Sequence, residues 1–258
     1  MAKAPGILRS SAGGCIKINA SDDLFDRPDA PASPFRFDAD VARVFPDMVR
    51  RSVPGYAELI GITGLIARRV ARPGTRCYDL GCSLGAVTRE ILARTGPEVR
   101  IVAIDNAPAM IAGLRARLAD LPGRERVELV HADVEAVPIA QASLAVLNLT
   151  LQFVAPERRL ELLGRIRAGL VPGGVLILAE KILVPNDHGG DLLTALHEDF
   201  KRAQGYSDLA ISRKRAALEQ VLLPDSVETH EQRLAAAGFA GFTRWYQSLN
   251  FVAWIAWA

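Results

Sequence analysis

The run CYDLGCSLGAVTREILARTGPEVRIVAID, residues 77–105, decides the fold. It follows a Pro73-Gly74-Thr75 turn. Residues 77–80 form a short, mostly apolar run that predicts a strand, Ala86–Arg94 predicts a helix, and Arg100–Asp105 predicts a second strand. The same alternation continues outward. Residues 108–121 read as a helix, and 127–132 and 144–148 as strands. Residues 156–170 read as a helix ended by Pro172-Gly173-Gly174, and 175–179 as a fifth strand. Strands alternating with helices predict a parallel sheet covered on both faces, an α/β fold. Upstream, Val41, Val44, Phe45 and Met48 have helical spacing, Pro54-Gly55 breaks the chain, and Tyr56–Val70 predicts another helix. Downstream, residues 190–222 read as wholly helical and densely charged. A helix over 228–237 and two strands, around 241–246 and 249–257, complete the chain. Residues 1–34, rich in Ala, Pro, Ser, Gly and Asp, read as a poorly ordered tail, leaving 35–258 as a single domain.

Composition narrows the function. Of 258 residues, 50% are hydrophobic and 23% charged, enough apolar material for a sizeable core. Lys and Arg total 31 against 29 Asp and Glu. The formal charge of +2 argues against a dedicated nucleic-acid binder, which needs a concentrated basic face. Cys15, Cys77 and Cys82 form neither a CxxC nor a Cys/His cluster, so no disulfide framework or zinc site is expected, and a reducing cytoplasmic compartment fits. No apolar run is long enough to span a membrane, and residues 1–20 lack the apolar core of a signal peptide. Ala12-Gly13-Gly14-Cys15 has the spelling of a lipoprotein cleavage site but no apolar segment before it.

The chemistry gathers at the strand ends. Asp79-Leu80-Gly81-Cys82-Ser83-Leu84-Gly85 joins the first strand to the first helix, and its small residues let a ligand approach the backbone at a helix N-terminus. Its G-x-S-x-G spelling matches a nucleophile elbow, but it follows the first strand and no acid and His stand in the expected downstream context. Asp105 ends the second strand, 24 residues after Gly81. It either accepts the hydroxyls of a ribose or caps the helix that starts at Pro108; taken alone, both readings stay open. Asp133 follows the third strand and Asn148 ends the fourth. Polar groups at four successive carboxyl ends point to a nucleoside-type ligand.

These motifs resemble the class I S-adenosylmethionine-dependent methyltransferases, a Rossmann-like fold with a mostly parallel seven-stranded sheet and an antiparallel final hairpin. More narrowly, Val44–Met48, Arg51-Ser52-Val53-Pro54-Gly55-Tyr56, Ala103–Asn106, Asn148–Phe153, His197–Arg202 and Asp225-Ser226-Val227-Glu228-Thr229-His230 resemble the carboxy-S-adenosyl-L-methionine synthase family over residues 23–251. The resemblance implies a binding site for S-adenosyl-L-methionine, as substrate, made by Tyr56, Gly81, Cys82, Ser83, Asp105, Asn106, Asp133, Val134 and Asn148, with no metal. It assigns Arg215 the recognition of a carboxylate on the transferred carbon, reaching the site from the partner subunit of a homodimer. The helical insertion at 190–222 then serves as lid and dimer element. The implied reaction consumes prephenate, and its product serves tRNA wobble uridine modification by another enzyme. From the residues alone Arg213-Lys214-Arg215 also fits a solvated helix face. A conventional methyltransferase or a non-catalytic S-adenosylmethionine-binding protein is the alternative.

Other candidates carry less. His131, His188, His197 and His230 are scattered without metal-ligand spacing; His197 and His230 read as packing or capping residues. Cys82 at a helix start has the position of a reactive thiol but reads better as a small side chain. Trp245, Trp254 and Trp257 read as core or interface residues.

Overall fold

The computed structural model describes residues 20–27 and 34–258. Seven strands form one sheet: β1 (Arg76–Leu80), β2 (Arg100–Asp105), β3 (Val127–His131), β4 (Ala142–Asn148), β5 (Leu170–Lys181), β6 (Gly241–Ser248) and β7 (Phe251–Trp257). Their order is β3-β2-β1-β4-β5-β7-β6. The first five run parallel, and β7 pairs antiparallel with both β5 and β6. The eight helices of the described residues are α1 (Ala39–Ser52), α2 (Tyr56–Val70), α3 (Ala86–Arg94), α4 (Pro108–Leu118), α5 (Arg159–Gly169), α6 (His188–Ala203), α7 (Asp208–Leu218) and α8 (Val227–Ala236).

Alternation along the strands builds a core on each face. Val102, Ile104, Ala145, Leu147, Leu176 and Leu178 pack with Leu162 and Ile166 of α5 and Leu234 of α8. Their neighbours Ile101, Ala103, Leu144, Val146 and Ile177 turn the other way, onto Ala67 of α2, Ile91 of α3 and Leu114 of α4. Both faces are covered, as continuous apolar strands require. The order reverses at β1, which lies between β2 and β4, so a crevice opens above the carboxyl ends of the central strands. A third cluster roofs it, joining Val44 and Met48 of α1, Leu84, Met110, and Tyr206, Ala210 and Ile211 beside and within α7.

Three expectations are corrected. Residues 20–27, assigned by composition to the tail, are packed: Leu24 and Phe25 are buried in the roof cluster and Asp22 is 2% exposed. Part of what holds them, Tyr206, Arg213 and Lys214, lies more than 180 residues away in sequence, beyond the reach of local composition. Residues 1–19 and 28–33 lie outside the described residues. The insertion is not wholly helical. Gly205 takes a left-handed φ of 87° that ends α6, and the Ser207 hydroxyl accepts the Ala210 N–H to start α7. Finally, Pro172-Gly173-Gly174 lies inside β5 rather than between helix and strand; the β4–β5 register shifts between Ala142 and Leu144 to accommodate it.

Candidate functional site

A cavity of about 1040 Å³ lies over the strand ends, beneath α1, α6 and α7. All ten residues singled out from the sequence line it: Tyr56, Gly81, Cys82, Ser83, Asp105, Asn106, Asp133, Val134, Asn148 and Arg215.

The β1–α3 loop is fixed by its neighbours. Asp79, fully buried, accepts the Thr88 hydroxyl at 2.5 Å; burial pushes its carboxyl up to about 7. Gly81 has φ 80°, and a Cβ there would lie 2.4 Å from Thr150 Oγ1, so both the turn and the packing demand glycine. The N–H groups of Gly81 and Cys82 donate to the Ile104 carbonyl at 2.9 and 2.8 Å. The Ser83 N–H donates to Asp105 Oδ2 at 2.8 Å. These three amides are therefore engaged within the protein, and a ligand over them meets small side chains and a closely approached backbone. Cys82 is buried, and burial raises its thiol far above the usual range, which suits a packing role and not a nucleophile.

Asp105 makes the contacts of the helix-start reading and leaves the ribose reading open. Its Oδ1 accepts the Ala107 N–H at 2.9 Å, beside the start of α4, while Oδ2 holds the loop. Each oxygen keeps a lone pair free, as a ribose diol needs. Desolvation raises its pKa, so hydrogen-bond donors from a ligand would be favourable. Asn106 Nδ2 reaches Asp133 Oδ2 at 3.5 Å, and Asp133 Oδ1 accepts the Glu135 N–H at 2.9 Å. Tyr56 faces Asp79; burial first, then that carboxylate, keep its phenol protonated. The donor and acceptor set, and the room around it, fit an adenosine-bearing ligand over β3, β2 and β1.

Beyond Asn148 the lining changes sign. Lys181 stands at the end of β5, Lys201 and Glu198 on α6, and Lys214 and Arg215 on α7. Arg215, from the same chain, forms an ion pair with Glu198 on the cavity wall. Lys214 is buried and bonded to Asp22 Oδ2 at 3.4 Å, Ser52 Oγ at 3.0 Å and Tyr206 Oη at 3.3 Å. Arg51 stacks 3.9 Å over the Tyr206 ring and donates to the Asp22 carbonyl at 2.9 Å, so the N-terminal segment is latched to the roof. His197 donates from Nε2 to the Ser52 carbonyl at 2.8 Å, and burial holds its pKa down at about 3. It is a neutral packing histidine, as is His230 against Trp254.

Sequence reasoning missed several contributors. Glu180 is buried and accepts the N–H groups of Thr150, Leu151 and Gln152 at 3.1, 2.8 and 3.0 Å, shaping the floor beside Asn148. Phe37 packs edge-on to Phe45 and Phe153, at 6.1 and 5.3 Å, giving the cavity an aromatic wall. Lys181 carried a legible signal: it is the polar end of the fifth strand, and the same rule that marked the first four applies to it. Among the described residues no group of three or more His, Cys, Asp or Glu is placed to hold a metal, and no helix is long and apolar enough to cross a membrane.

Fold and site together define a protein of the class I S-adenosylmethionine-dependent methyltransferase type. Residues 78–174 match the family model described as a methyltransferase domain. The solved methyltransferase SibL superposes with a TM-score of 0.60 at 18% identity, covering 90% of this chain and 60% of its own. Human N-acetylserotonin methyltransferase, solved with its cofactor, gives 0.52 at 20% identity, covering 84% and 59%. The chain belongs to the carboxy-S-adenosyl-L-methionine synthase family. It is 49% identical over 240 residues to the enzyme of that name from Pseudomonas putida strain F1, covering 91% of this chain and 97% of the relative. The Stutzerimonas stutzeri A1501 enzyme is 50% identical with the same coverage. That of Vibrio cholerae O395 is 46% identical over 235 residues, covering 91% and 96%.

Proposed function

We propose that the chain converts S-adenosyl-L-methionine and prephenate into carboxy-S-adenosyl-L-methionine and phenylpyruvate, supplying a carboxymethyl donor for wobble uridine modification of tRNA. The observation that supports this reading is Arg215, a cation on the wall of the cavity whose other end is built for adenosine. A fixed guanidinium opposes binding of a bare sulfonium by like-charge repulsion, yet pairs well with a carboxylate carried by the transferred carbon. Asp105 would hold the ribose diol, Asp133 and the Val134 backbone the adenine, Tyr56 and the Gly81–Ser83 loop the amino-acid end, and Asn148 the neighbourhood of the sulfonium.

In this scheme prephenate loses its ring carboxylate as carbon dioxide and its hydroxyl as hydroxide while the ring becomes aromatic. The hydroxide takes a proton from the sulfonium methyl, giving water and an ylide. The ylide carbon forms a new bond to carbon dioxide, and Arg215 pairs with the carboxylate so made. The chain's residues then need only bind, orient and exclude water. That agrees with a cavity where His197 is neutral and occupied, and where aromatic rings line one wall.

Assembly as a homodimer belongs to the same reading. Leu192, Leu196 and Leu209 are exposed on the insertion and supply an apolar face for it. Within one chain Arg215 already lines the cavity, so exchange of α6 and α7 between subunits is the arrangement that would deliver it from a partner. Mixed dimers of Arg215→Ala and Asp105→Ala chains distinguish the two. Exchange regenerates about a quarter to half of the activity through sites free of both changes. The reading as a whole is tested by Arg215→Ala, which should abolish most carboxylated product while plain S-adenosyl-L-methionine still binds. Undiminished product formation would remove Arg215 from the mechanism.

A further inference from the structure

Lys181 and Lys201 both line the cavity, and neither has a carboxylate partner among the described residues. The two cations beside them are already paired, Arg215 with Glu198 and Lys214 with Asp22. We propose that Lys181 and Lys201 together form the seat for a carboxylate of the co-substrate, separate from the carboxylate that Arg215 meets.

Position argues for a second anion. Lys181 ends β5, two strands from β1 in the sheet order, so about 10 Å separates it from the loop over which the amino-acid end of the nucleoside substrate lies. Lys201 stands on α6, which packs against α1 and α7 in the roof of the cavity. The volume of about 1040 Å³ stands at the top of the range for a single small ligand, leaving space for two. Next to Lys181, its register partner Phe251 is 5% exposed and lines the same cavity. An anion that also carries a six-membered ring therefore finds charge and an apolar wall together.

Energetics agree. Burial first, then Lys181 and Lys214, push the Lys201 ammonium down to about 8; burial and Arg215 lower Lys181. Two partly desolvated ammonium groups facing one chamber repel each other, and His197 between them is neutral. A carboxylate relieves that repulsion and restores the hydrogen bonds lost on burial. A lysine is a compact charge with three rotatable donors, suited to a ligand that must leave again as product.

This seat rests on the functional reading above, so its test is made by binding and not by turnover. The full chain, saturated with S-adenosyl-L-homocysteine, is titrated with prephenate by calorimetry. Lys181→Gln and Lys201→Gln should each weaken prephenate about tenfold or more, with S-adenosyl-L-homocysteine affinity unchanged as the check on folding. Lys201→Arg, which keeps the charge, should restore most of the affinity. Gln variants that bind prephenate as the parent does overturn the seat, as does a loss of both ligands together in all three variants or a parent that binds no prephenate. A parent that binds prephenate through these lysines yet forms no carboxylated nucleoside overturns the functional reading and leaves the seat standing.

Discussion

Arg215 on α7 is held by Glu198 on α6, so the guanidinium assigned to a carboxylate ligand already carries a carboxylate from its own chain. Glu198 also reaches Arg202 at 3.4 Å. In the proposed reading the pair is a placeholder that keeps Arg215 aimed along the wall and opens when an anionic ligand arrives. Its side chains are 59% and 22% exposed, so it is worth no more than about 1 kcal/mol. Glu198→Gln should therefore strengthen binding of carboxy-S-adenosyl-L-methionine by up to about fivefold and leave plain S-adenosyl-L-methionine no tighter, because the freed guanidinium repels the bare sulfonium. Calorimetry with both ligands checks it; equal gains for the two would place Arg215 away from the transferred carbon.

In the proposed reading Asp105 serves protein and ligand at once. An amide in its place keeps only one acceptor oxygen, so Asp105→Asn must give up either the Ser83 N–H or part of the ribose contact. The expected loss in S-adenosyl-L-homocysteine affinity is about 10- to 100-fold, from charge-assisted bonds worth roughly 1.5–3 kcal/mol. Equilibrium dialysis measures it directly. An unchanged affinity would return Asp105 to the simpler role of a helix-start residue.

Glu180 makes no direct contribution to the cavity wall but fixes its floor. Glu180→Gln turns one acceptor oxygen into an amide donor facing backbone N–H groups, and leaves at least one of the three unsatisfied. A stability loss of about 1–3 kcal/mol should appear in chemical denaturation. The loop from Thr150 to Gln152 would loosen with it, raising KM for the nucleoside substrate more than it lowers kcat.

The latch between the N-terminal segment and α7 is a buried ion pair, Asp22 with Lys214. Removing one charge strands the other, so Asp22→Ala should cost about 3–5 kcal/mol. The double change Asp22→Leu with Lys214→Met should recover most of it, since two apolar side chains carry no desolvation penalty. Urea denaturation of the two variants separates these outcomes. Equal destabilisation in both would mean that the stranded Lys214 charge is not the source of the loss.

What the sequence made legible follows from the range of the forces involved. Helices α2 and α3 and strand β2 were bounded correctly because their caps and apolar periods are local. Gly81, Cys82, Ser83, Asp105, Asp133 and Asn148 were legible because strand ends and the turn after β1 are local features too, whereas Tyr56, Asn106, Val134 and Arg215 were pointed to only by the family resemblance. The docking of residues 20–27 was not, since the Asp22 carboxylate meets Lys214 and Tyr206 only once the whole fold brings them to it. The break at Gly205 was written in Gln204-Gly205-Tyr206-Ser207, but dense charge on either side masked it within a stretch that reads as wholly helical. Lys201 sat within a densely charged helical stretch, and only the roof formed by α1, α6 and α7 removes it from water.

The central claim is that this cavity makes a carboxylated sulfonium. Purified chain incubated with S-adenosyl-L-methionine and prephenate, followed by mass spectrometry of the nucleosides, measures it directly. The predicted product is heavier than S-adenosyl-L-methionine by one carbon dioxide and appears in equal amount with phenylpyruvate. Recovery of only S-adenosyl-L-methionine or its demethylated form, with prephenate unconsumed, would contradict the account.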